Sequence, residues 1–178
     1  MKLPIYAYGH SIYRQEIKQV SQDIEDLPQL IRNMKETMWL LKCNALAAIH
    51  VGVPYQLFLI DMPQKGKSVF INSEVIKKTG YLNSLMETDV SIPNVSVGID
   101  RLSNVQLKFQ TEEFAQNEGY FAGKTASLIF QMMDLCKGKT MIQHLHPFRQ
   151  KSLKKYLYEI RTGQHLPSYD FIIEDMRQ

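Results

Sequence analysis

The 178-residue sequence contains only two cysteines, Cys43 and Cys136. Two thiols so far apart make no disulfide framework and point to a reducing compartment. No run approaches the roughly 20 apolar residues needed to span a bilayer. The opening MKLPIYAYGH lacks the apolar core of a secretory leader. A cytoplasmic protein is therefore the expectation, with no membrane partner. Nor is there an excess of charge of one sign. The formal net charge is +3, and no basic stripe with interleaved aromatics marks a nucleic-acid surface, so a sequence-specific nucleic-acid binder is not expected. Internal repeats, low-complexity tracts, a nucleotide-binding glycine loop and a Gly-x-Ser-x-Gly elbow are all missing.

What is present is an ordinary globular composition, 44% hydrophobic and 22% charged, expected to form a single domain over residues 1–178. In DLPQLIRNMKETMWLL, residues 26–41, Leu27, Leu30, Ile31, Met34, Met38 and Leu41 recur at helical spacing. Asp26 stands as an N-cap, Gln29 would complete a capping box, and Pro28 falls in the first turn. Short strands are expected over 57–61 and 68–71 around the turn-prone MPQKGK, with further strands over 74–78, 88–92 and 105–110. A second helix is expected over about 121–137, with Ala122, Ala126, Ile129, Phe130 and Met133 on its packed side and Gly138 ending it. A third, about 149–162, ends at Gly163 and carries Arg149, Lys151, Lys154, Lys155 and Arg161. These elements predict an α+β domain of short antiparallel strands with helices packed against them.

One histidine stands out. In ALAAIHVGV, residues 45–53, His50 sits among small residues just before the strand-like QLFLID. Three roles are open to it: a core histidine bonded to Asp89 or to backbone, a metal ligand together with Asp89, and a donor to an oxyanion. HLHP, residues 144–147, places two histidines two apart, which is too few for a metal site and reads as a loop.

In this order the segments resemble the peptide deformylase family. YGHSIYRQE is similar to the family's N-terminal segment, with Gly9 and Arg14 matching. MKETMWLLKCNALAAIHVGVPYQLFLID resembles the first motif, Gly-x-Gly-Leu-Ala-Ala-x-Gln, with its flanking helix and strand. Asn72 in FINSEV fits an asparagine after the next strand. ETDVSIP resembles Glu-Gly-Cys-Leu-Ser-(Ile/Val)-Pro, and GKTASLIFQMMDLCKG stands where the family has His-Glu-x-Asp-His. The resemblance implies a peptide deformylase-like fold with a central helix and an N-terminal and a C-terminal helix. It also implies a metal-dependent hydrolase that removes the formyl group from N-formylmethionyl chains, with iron, zinc or nickel as its one divalent metal.

The central positions depart from that pattern. The ligand positions hold Asp89, Gln131 and Leu135; the general-base glutamate is Met132; the oxyanion-donor glutamine is His50. Leu135 has no lone pair, the Gln131 amide oxygen is a poor ligand beside imidazole or thiolate, and Met132 moves no proton. No catalytic residue, metal or other cofactor is therefore expected. Cys43 and Ala45 replace the two glycines of the first motif and narrow a groove whose other candidate residues are Leu46 and Val90. Cys43 is expected to be a buried, inert thiol. Glu87 and Arg101 are expected to brace the strands by charge pairing.

The expectation from these losses is a pseudoenzyme that binds a peptide N-terminus or a protein partner by strand addition. The first alternative is a divergent deformylase with a site rebuilt from His50, Asp89 and Gln131. The second is a structural subunit whose basic C-terminal helix contacts a ribosome or another assembly.

Overall fold

The computed structural model describes residues 1–174. Among the described residues, seven strands and three α-helices follow in the order β1 (Ile5–Tyr6), α1 (Leu27–Leu41), β2 (Ala45–Ala47), β3 (Leu57–Met62), β4 (Gly66–Asp89), β5 (Ile92–Gln110), β6 (Gln116–Ala122), α2 (Gly123–Leu135), α3 (Pro147–Arg161) and β7 (Phe171–Ile172). Strands β2-β3-β4-β5-β6 form one antiparallel sheet in that order, and β1 pairs in parallel with β7 in a small second sheet. The α+β architecture expected from the sequence is present.

The LFLI stretch of β3 is buried on both faces, as a continuous apolar run in a central strand should be. Phe58 and Ile60 join Phe70, Val105 and Leu107 beneath Ile129 and Phe130 of α2. Leu57 and Leu59 point the other way, with Val69 and Ile71, onto Met34 and Met38 of α1. The sheet is thus sandwiched between two helices. A third cluster joins Val97 and Ile99 of β5 to Leu157 and Ile160 of α3.

Several local expectations need correction. The strands are not all short: 68–71, 74–78 and the start of 88–92 belong to one 24-residue strand, β4, and 105–110 closes the 19-residue β5. Register shifts near Ile71, Val75, Thr79 and Thr88 interrupt their pairing, and such bulges break the alternation that marks a long strand in sequence. Strand β6 fills the segment before α2, so that helix starts at Gly123. Asp26 makes no side-chain cap bond, and Gln29 instead donates to Asn33 Oδ1 at 2.7 Å. The HLHP segment is no loose loop: a 3-10 turn covers Met141–His144, and His146 accepts from the Phe148 N–H to cap α3.

Gly52 shows why the first-motif segment turns where it does. It ends a 3-10 turn at φ +82, and a Cβ there would lie 2.4 Å from the Tyr6 ring. Both the conformation and the space require glycine. This turn carries His50 back across the end of β4.

Candidate active site

Period-two alternation places Glu87 and Asp89 on the same face of β4, toward α2. At the last step the register shifts between Thr88 and Asp89, with Asp89 opposite Ile92. A bulge of this kind re-aims a side chain, and Asp89 ends fully buried with its carboxylate beside His50. Its Oδ1 accepts from the Ser91 N–H at 2.7 Å and the Ser91 hydroxyl at 2.6 Å. Its Oδ2 has no hydrogen-bond partner.

His50 comes from the opposite wall. Its Nδ1 accepts the Ala47 N–H at 3.1 Å. That bond leaves Nδ1 unprotonated, so the neutral ring carries its proton on Nε2. Nε2 lies 3.2 Å from Asp89 Oδ1, within ion-pair range, yet is not aligned for a hydrogen bond and has no partner. Burial pushes the Asp89 carboxyl up. The His50 imidazole and the two Ser91 donors outweigh it and hold the group below the usual carboxylate range.

The third polar side chain is Gln131. It lies one turn beyond Ser127 on α2, on the face that meets β4. Its Nε2 donates to Thr88 O at 2.8 Å, which leaves Oε1 free. His50, Asp89 and Gln131 meet at a cleft of about 630 Å³. Cys43, Ala45 and Val90 also line it. Leu46 does not: on a strand it faces away from Ala45, and it is buried against α1. Met132 lines the cleft, while Leu135 packs into the core beneath the sheet. Apolar atoms therefore take up part of this space, and an open cleft remains.

Three contributors escaped the sequence reading. Ser91 holds the carboxylate; an Asp followed two residues later by Ser was a usable signal, because Asx turns take this form. Lys42 brings a cation to the cleft. Tyr169 forms part of the far wall, and its hydroxyl donates to Val90 O at 2.6 Å. No local pattern marks a residue brought back from the C-terminal segment.

The other candidates are structural. Asn72 sits at φ +49 and exchanges two hydrogen bonds with the Val20 backbone, tying the N-terminal loop to the sheet. Arg14 pairs with Glu174. Glu87 and Arg101 pair as expected. Burial pushes the Cys43 thiol up to about 11 and the Cys136 thiol up to about 12. Both should stay protonated at neutral pH, so native labelling by a thiol reagent at pH 7.4 is expected to run roughly a hundred-fold slower than in urea. Labelling as fast as in the unfolded chain would show an activated or exposed thiol.

An antiparallel sheet held between two helices, with its chemistry where the end of a long strand meets a central helix, defines a deformylase-type α+β protein. The comparisons give the family. The model for polypeptide deformylase matches residues 2–151. A peptide deformylase of Karelsulcia muelleri is 34% identical, covering 82% of this chain and 79% of the relative. One of Salinibacter ruber is 29% identical, covering 98% and 96%. The crystal structure of a peptide deformylase from Legionella pneumophila superposes with a TM-score of 0.84 at 24% identity, over 94% of this chain and 100% of that one, and shows the shared fold. The chain belongs to the peptide deformylase family.

These findings overturn the expectation of a non-catalytic peptide- or protein-binding pseudoenzyme. The relatives carry the name of an enzyme along almost the whole chain, and the divergent deformylase is the reading they favour.

Peptide deformylases use a divalent metal, which needs a set of lone-pair donors at this cleft. A metal-ligating histidine offers one nitrogen lone pair and usually donates its other N–H to an acceptor. His50 does the reverse: Nδ1 accepts, and Nε2 bears the proton on the side of Asp89. That leaves one carboxylate and one neutral amide oxygen. Among the described residues no three His, Cys, Asp or Glu side chains gather as a ligand set. The residues present do not fit the family's metal.

Proposed function

We propose that the chain is a divergent deformylase that hydrolyses the formyl group of N-formylmethionyl peptides with its own side chains at the His50–Asp89–Gln131 site. One observation carries the proposal. In a chain of this family, a buried N–H donor and a buried carboxylate oxygen, both without partners, stand side by side at the cleft.

The Nε2–H of His50 is the donor for the formyl oxygen. It occupies the position of the family's oxyanion donor and holds the tautomer that a donor needs. Asp89 Oδ2 accepts a proton from the attacking water. Water oxygen bonds to the formyl carbon, the C–N bond breaks, and Asp89 passes the proton to the departing nitrogen. The products are formate and a peptide with a free amino terminus. Gln131 Oε1 is placed to orient the water or the formamide N–H. The methionine side chain has apolar surface in Val90, Leu128 and Met132. A buried Asp89 held below the usual range is a weak base, so turnover should be slow. An oxyanion donor and a general base together supply about 10⁴–10⁷-fold over water.

The test is formate release from formyl-Met-Ala-Ser by the full chain, before and after dialysis against a chelator. Slow release that survives chelation and is unchanged by added iron, nickel or zinc is expected. No release in any condition would overturn the deformylase reading. Release lost on chelation and restored by one metal would overturn the metal-independent mechanism.

A further inference from the structure

We infer that the cleft holds the free N-terminal ammonium of a methionyl peptide more tightly than a formylated or acetylated N-terminus, with the Asp89 carboxylate as counter-charge. The inference rests on the proposed deformylase reading for the class of ligand and concerns the product side of that reaction.

A bound cation is the largest local charge of a metal centre and sets the sign of the field there. The donor set of this chain does not fit such an ion. The buried charge at the centre of the cleft is then the Asp89 carboxylate. Among the described residues that line the cleft, only Lys42 carries another full charge. Oδ1 is committed to Ser91, whereas Oδ2 is unpartnered although the side chain is fully buried. Gln131 contributes a second acceptor, Oε1, because its amide nitrogen is held by Thr88 O. Two acceptors with a net negative charge therefore face one donor, His50 Nε2–H. A formamide offers a single N–H and no charge. A primary ammonium offers three N–H groups and a positive charge, and hydrogen bonds between ionised partners are roughly twice as strong as neutral ones. A buried carboxylate oxygen left without a hydrogen-bond partner, as Oδ2 is, is also costly, so a group that donates to it and carries the opposite charge is favoured.

The consequence is a deformylase strongly inhibited by its own product. Calorimetry on the chelator-dialysed full chain, with Met-Ala-Ser, acetyl-Met-Ala-Ser and formyl-Met-Ala-Ser as probes, reads this without turnover. At pH 7 the free amine is expected to bind at least about ten-fold tighter than either acylated peptide. The Asp89→Asn variant should abolish that preference.

A second arm uses the unaltered protein. A peptide α-amino group titrates near 7.7–8.0, so the preference should shrink toward unity between pH 7 and 9.5. The ionisable groups facing Asp89 are His50, Tyr13, Cys43 and Tyr169, with Lys42 farther out on the cleft wall. Burial pushes Cys43 up to about 11, Tyr169 up to about 12 and Tyr13 well above its ordinary value, so these three stay neutral across that window. Equal affinities, a preference unchanged by pH, or no binding of Met-Ala-Ser at millimolar concentration would overturn the inference. The two readings fail separately. Formate release without amine preference leaves the enzyme and removes this inference, and amine preference without formate release does the opposite.

Discussion

Replacing Arg101 by alanine is expected to lower the unfolding free energy by about 3–5 kcal/mol, among the largest effects available to a single polar substitution here. Arg101 is a β5 residue that reaches across to β4. Its Nε donates to Glu87 Oε1 at 2.7 Å and its Nη2 to Oε2 at 3.1 Å, a bidentate pair in which both side chains are buried. Its Nη1 donates to Asp134 Oδ2 of α2 at 2.5 Å, and His144 meets that same oxygen at 2.8 Å. Ser127 adds a hydroxyl to Glu87. One guanidinium thus joins two strands, the central helix and the turn after it. Its removal leaves Glu87 buried with only a hydroxyl for company and sets a second carboxylate nearby without its cation. Asp134 is 21% exposed and partly hydrated, so most of the loss comes from Glu87. Arg101→Lys should recover only part of it, because an ammonium cannot reproduce the planar fork. Urea unfolding measures the difference. A loss below 1 kcal/mol would mean that water replaces the guanidinium and that the network does not brace the fold.

The second large effect is at Asp89, where stability and activity separate. Asp89→Ala removes the acceptor of both Ser91 donors and the carboxylate beside His50. Each buried polar group left unsatisfied costs about 1–3 kcal/mol, so a loss at the upper end of that range is expected. Asp89→Asn can keep an oxygen for Ser91 and should stay within about 1 kcal/mol of the parent. Yet it has no base, and its formate release should fall by at least about 10²-fold. Full activity in a folded Asp89→Asn protein would remove the proposed base.

The acid limb gives an independent check. The folded carboxyl lies below its unfolded value of about 3.9. Its contribution is present above that value and lost as pH falls through the folded one. The parent should therefore lose stability on acidification below about pH 4, and the Asn variant should lose less. Identical acid limbs would show that Asp89 is not held down in the folded state.

Much of the fold was legible because its signals are local. The apolar spacing of Leu27 to Leu41 marks α1, the unbroken LFLI run marks a strand buried on both faces, and Gly138 and Gly163 mark helix ends at positive φ. The failures have physical causes. Strand β4 was broken into pieces because its bulges interrupt the alternation. Strand β6 was missed because an exposed edge strand has no apolar face to show. The cap at Asp26 failed because a suitable side chain does not guarantee the backbone geometry that lets it bond.

The site divides in the same way. Sequence alone determined the chemistry on offer: an imidazole, a carboxylate and an amide stand in the family's places, without the thiolate, paired imidazoles or general-base carboxylate of its motif. The Glu87–Arg101 pair also followed from residue type and neighbours, whereas Cys43 is only half-buried. Only the tertiary structure decided what those groups can do. The Ala47 N–H selects the His50 tautomer, the bulge after Thr88 turns Asp89 inward, Ser91 occupies one of its oxygens, and Thr88 O occupies the Gln131 nitrogen. The physical reason is that hydrogen-bond capacity belongs to a residue, whereas the free lone pair or proton left over depends on partners that lie up to 43 positions away in the chain.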